Sequence, residues 1–74
     1  MGRILLKEAR KGKGMTQQGV ADYLKISVQY YKMIEAGKRD GSFTLWDALE
    51  DLLGVHQRQL RDLEGIRPDK VESP

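Results

Sequence analysis

Residues 16–37 read TQQGVADYLKISVQYYKMIEAG, two short helical patterns separated by two residues. Thr16 can cap the free backbone N–H groups of a first turn, and Met15 and Val20 flank it at the spacing of a hydrophobic staple. Val20, Ala21 and Leu24 then form one inward stripe. Gly19 weakens this helix by about 1 kcal/mol relative to alanine. Only Lys25 and Ile26 separate Leu24 from Ser27, so the next helix must turn away sharply. Ser27 repeats the capped start, with Ile26 and Tyr31 as its staple. At about 100° per residue, Ser27, Tyr31 and Ile34 point one way and Gln29, Lys32, Met33 and Ala36 the other. Gly37 ends the pattern as a left-handed residue.

Upstream, residues 3–11 read as a helix with Leu5, Leu6 and Ala9 inward, closed by Gly12 and Gly14. Arg10 falls beside that apolar stripe, where an unpaired guanidinium is costly, and Glu35 beside the inward face of residues 28–36 is its natural partner. Downstream, residues 38–42 form a polar loop. A fourth helix capped by Ser42 or Thr44 follows, with Phe43, Trp46, Leu49, Leu52 and Leu53 as its buried stripe, stopped by Gly54. Residues 55–64 read as a fifth helix. The fold class is all-α, a compact bundle of four to five short helices. Residues 1–64 make the domain and 65–74, with two prolines and no periodicity, a flexible C-terminal tail.

The 74 residues suffice for one modest core. With no cysteine and one histidine, His56, thiolate chemistry and a metal cluster are excluded from the expected roles. Neither an apolar run of membrane-spanning length nor a signal-peptide core is present, which predicts a cytoplasmic protein. Residues 1–39 carry nine Lys/Arg against three acids, a balance of +6, whereas residues 40–74 carry four against eight, a balance of −4. That split suits a polyanion on the side of residues 16–37. Lysines kept only for solubility would give the same count.

In order and spacing, LKEARKGKGMTQ, VADYLKIS, YYKMIEAGKR and the LGV of residues 53–55 resemble the Xre/Cro type of helix-turn-helix regulator, a family that includes phage repressors and Cro proteins. The resemblance covers residues 6–55 and implies the lambda repressor-like DNA-binding fold. It implies a bacterial or phage-encoded protein whose third helix, residues 28–36, enters the major groove. It places Gln17 at a phosphate and Ser27, Val28, Gln29, Lys32 and Met33 in or beside the groove. The loop from Lys38 to Ser42 falls on the DNA backbone, and Arg10 and Glu35 form a buried ion pair. Three positions depart from the pattern. Lys25 stands where glycine is common, Gly41 where proline is common, and Glu50 where a small apolar residue is usual.

The expected function is sequence-specific recognition of a double-stranded DNA operator by a transcriptional repressor, with no enzymatic activity, cofactor, metal or small-molecule ligand. Gln29 and Lys32 match adenine and guanine edges, while Val28 and Met33 suit a thymine methyl. Met33 packing against the second helix is an equal alternative. Thr16, Gln17, Ser27, Tyr30, Lys38, Arg39 and Ser42 set position through phosphates; Tyr30 buried at the helix flank is the alternative to its phosphate bond. One module reads too few bases for a genome, so a homodimer is expected, with Val55, Leu60 or Leu63 at its interface. For Leu60, closure of the core competes with that role. Asp47, Glu50 and Asp51 have a spacing that suits metal or acid/base chemistry, and a solvated acidic face accounts for them better. The competing class is a protein-interaction module, antitoxin-like or bridging, built on the same bundle.

Overall fold

The computed structural model describes residues 2–63. Five helices follow one another, α1 (Ile4–Gly12), α2 (Gln17–Leu24), α3 (Val28–Glu35), α4 (Phe43–Leu53) and α5 (Gln57–Leu60), and no strand occurs among the described residues. The fold is all-α. Contacts join α2 to α3, α1 to α5, and α4 to both α5 and α2. Leu6, Val20, Ala21, Tyr31, Ile34, Leu45, Trp46, Leu49, Leu53 and Leu60 fill the core between them.

Local chemistry sets the boundaries. The hydroxyl of Thr16 accepts from the N–H of Gly19 at 2.9 Å, Ser27 from Tyr30 at 3.1 Å, and Ser42 from Leu45 at 3.1 Å. Ser42, not Thr44, therefore starts α4. α2 and α3 end alike. At the end of α3, Gly37 has φ +81° and its N–H reaches the Ile34 carbonyl, while the Lys38 N–H reaches that of Met33 at 2.8 Å. This is a Schellman termination. At the end of α2, the N–H groups of Lys25 and Ile26 reach the Asp22 and Ala21 carbonyls in the same pattern. Here the left-handed residue is Lys25, at φ 61° and ψ 42°. A Cβ in that conformation costs about 1 to 2 kcal/mol.

Several expectations are corrected. α1 runs one residue later at each end, with Gly12 as its last residue and Gly14 left-handed beyond it. Phe43 is 73% exposed, and Leu45 takes its place in the core. On α4 the side chains of Leu45, Trp46, Leu49 and Leu53 share an arc of about 100°, and Phe43 falls outside it. α5 has four residues, opening only after His56, whose ring Nδ1 accepts from the Arg58 N–H at 3.1 Å, and ending at Leu60. Leu60 is fully buried, so it closes the core and leaves the set of surface residues available to a partner. Glu64 and the proposed tail, residues 65–74, lie outside the described residues.

Candidate nucleic-acid interface

Beneath α3 lies a buried polar cluster that fixes how α1, α2 and α3 meet. Arg10 of α1 donates from Nε to Glu35 Oε2 at 2.6 Å and from Nη1 to the Met15 carbonyl at 2.8 Å. The Tyr31 hydroxyl donates to the same Glu35 oxygen at 2.8 Å, and Gln17 Nε2 donates to Glu35 Oε1 at 2.9 Å. Among the described residues every buried side-chain nitrogen and oxygen has a partner. The hydrogen bond to Glu35 raises the Arg10 pKa against the opposing effect of burial. Burial first, and then the Glu35 carboxylate, push the Tyr31 phenol well above its ordinary range. The Arg10 guanidinium thus stays charged and the Tyr31 phenol protonated.

Over this base, α3 turns Gln29, Lys32 and Ala36 into solvent, with Met33 and Val28 half-buried. Val28 packs against the core, as does Tyr30, so each offers only one edge outward. Glu35 is the single acid of α3 and it is buried. The exposed face is therefore cationic and amide-bearing. Thr16, Ser27 and Ser42 are exposed, each with its hydroxyl capping a helix. Lys25, Lys38 and Arg39 are exposed as well. Gln17 is half-buried, and one hydrogen of its amide goes to Glu35, so the backbone N–H groups at the start of α2 add to the donors there. Of the carboxylates on α4, Asp47 and Glu50 both accept from the Gln57 amide, at 2.7 and 3.1 Å. Among the described residues no group of three or more His, Cys, Asp or Glu side chains could hold a metal ion.

One residue that sequence reading passed over dominates the neighbouring region. Arg3 is 4% exposed. Its Nη1 donates to the carbonyls of Ile34 at 2.7 Å and Arg39 at 3.0 Å, its Nε to that of Arg61 at 3.2 Å, and its backbone N–H to that of Glu35 at 2.7 Å. The guanidinium carbon sits 5.2 Å from the centre of the Trp46 ring, at cation–π distance. Burial lowers the Arg3 pKa, Asp40 opposes that, and Arg61 adds to it. Arg3, Leu6 and Arg10 stand at i, i+3 and i+7. That inward spacing was the available signal.

α2 and α3 thus form a short pair of capped helices joined by a tight turn, with an acid-free outer face on the second, and a family model described as Helix-turn-helix matches residues 6–60. The chain belongs to the Xre/Cro-like helix-turn-helix family. No curated protein and no solved structure matches it. This helix-turn-helix family is one of DNA-binding regulators rather than enzymes. No described helix is long and apolar enough to cross a membrane.

Proposed function

We propose that the chain is a sequence-specific, double-stranded DNA-binding transcriptional regulator that acts as a cytoplasmic repressor by laying α3 in the major groove of an operator. The observation that carries this reading is the outer face of α3, where Gln29 and Lys32 stand exposed and the one acid is withdrawn into the Arg10 pair. Gln29 pairs with adenine N6 and N7, and Lys32 donates to guanine O6 and N7. Val28 and Met33 present apolar edges to a thymine methyl. Thr16, Ser27, Tyr30, Lys38, Arg39, Ser42 and the backbone at Gln17 hold phosphates and fix register. The protein works as a homodimer on a two-fold symmetric site, its half-sites about 34 to 36 Å apart. With Leu60 buried, Val55 and Leu63 remain for that interface, and Leu63 is the more exposed.

Titration of duplex DNA at several salt concentrations tests the reading. Wild-type protein binds with a steep inverse dependence on salt, and Lys38→Ala lowers the slope of log affinity against log salt by about 1 for every sequence alike. A wild-type protein that neither binds duplex DNA nor responds to salt contradicts the reading and favours the protein-interaction module.

A further inference from the structure

Residues 38–42 carry the phosphate contacts on one side of the proposed interface, yet little in their own sequence fixes them. The anchor comes from the other end of the domain. Arg3 Nη1 joins the last turn of α3, at Ile34, to the middle of the loop, at Arg39, and Nε ties both to Arg61 after α5. The next loop carbonyl, that of Asp40, accepts from Trp46 Nε1 at 2.7 Å. Arg3 and the ring of Trp46 stack on each other, so two consecutive loop carbonyls are drawn inward by one stacked pair.

Peptide planarity then dictates the outer side. No cis bond occurs among the described residues, and in a trans peptide the N–H points opposite to its carbonyl. The N–H groups of Asp40 and Gly41 therefore face away from the core, and neither has an acceptor among the described residues. Gly41 is held at φ +77°, and a Cβ there would come within 3.0 Å of Trp46 Nε1, so glycine is what lets the loop lie this close to the indole. The loop's one carboxylate, Asp40, is fully exposed with Oδ1 3.8 Å from Arg3 Nη2. Carbonyls from three separate segments call for a planar fork of donors, which arginine has and lysine lacks.

We propose that Arg3 is the positioning residue of the DNA-binding loop: with Trp46 it turns the Arg39 and Asp40 carbonyls inward, and so presents two backbone N–H groups, Lys38 and Arg39 to phosphate. It rests on the DNA-binding reading above. Arg3 is buried and does not itself touch DNA. A residue that only stabilised the fold would lower the melting temperature and leave the folded protein's salt dependence unchanged.

The test compares wild type, Arg3→Met and Trp46→Phe, each at a temperature where circular dichroism shows it folded, on random-sequence duplex DNA over a range of salt. Each phosphate that Lys38 or Arg39 no longer neutralises removes about 0.9 from the log–log slope. Arg3→Met therefore lowers the slope by about 1 to 2, while the preferred operator sequence stays the same. Trp46→Phe keeps an aromatic face for Arg3, removes the donor to Asp40 together with the five-membered ring, and lowers the slope in the same direction by less, which preserves the test if Arg3→Met does not fold. Folded Arg3→Met with the wild-type slope, or Trp46→Phe with no change when Arg3→Met is unfolded, overturns the proposal alone. Absence of wild-type binding overturns the DNA-binding reading and the proposal with it.

Discussion

Glu35 receives hydrogen bonds from side chains on three helices, Arg10 of α1, Gln17 of α2 and Tyr31 of its own α3, and it is almost without solvent contact. A buried carboxylate is tolerable only with partners of this kind; removing one partner of such a pair costs about 3 to 5 kcal/mol. Tyr31 gives a pH-dependent handle on the cluster. Its phenol pKa is raised above the ordinary 10.0 in the folded chain, so its contribution is complete below about pH 10. Above that pH the unfolded phenol releases its proton while the folded one keeps it, and stability falls by about 1.4 kcal/mol per pH unit from this group. Tyr31→Phe lacks this dependence. Denaturant titrations at pH 9 and pH 11 should show wild type losing part of its advantage over Tyr31→Phe at the higher pH. An equal difference at both values contradicts the assignment.

At the scale of elements, the turn between α2 and α3 holds the two helices at their angle through a left-handed Lys25, the one non-glycine residue with positive φ among those described. Glycine adopts that conformation without strain. Lys25→Gly should therefore raise stability by about 1 kcal/mol, a shift of roughly 4 to 8 °C in a thermal melt for a domain of this size. A lower melting temperature would mean that the lysine side chain contributes more than the strain removes. What the sequence could disclose follows the range of each interaction. Thr16, Ser27 and Gly37 act within one turn, so the helix pair was legible almost to the residue. The α4 stripe was misread, because a strict repeat of three drifts about 60° per step on a helix, so a stripe begun at Phe43 leaves the arc that Leu45, Trp46, Leu49 and Leu53 share. The later start of α5 was missed because a histidine cap lies outside the usual capping vocabulary. For Arg3 the spacing to Leu6 and Arg10 marked an inward position, but not its role, because its hydrogen-bond partners are backbone carbonyls and no residue type marks those.

For the whole molecule, the positive half of the chain carries α1 to α3 and the acidic half carries α4 and the segment beyond. What was legible of the candidate site is exposure on one helix, as with Gln29 and Lys32; that other proposed contacts share their side chains with the core was not. Gln17 gives an amide hydrogen to Glu35, Val28 and Tyr30 lean on the core, and Leu60, a candidate for the dimer interface, fills it. The central claim is that α3 reads base edges and that a symmetric pair of such helices reads one site. Selection of bound sequences from random duplex DNA, with wild type and Gln29→Ala in parallel, tests it most directly. Wild type should enrich an inverted pair of half-sites one helical turn apart. Gln29→Ala should keep that spacing and lose about 1 to 3 kcal/mol of discrimination at one position in each half. No enriched sequence with wild type, or an unchanged site with Gln29→Ala, would contradict it.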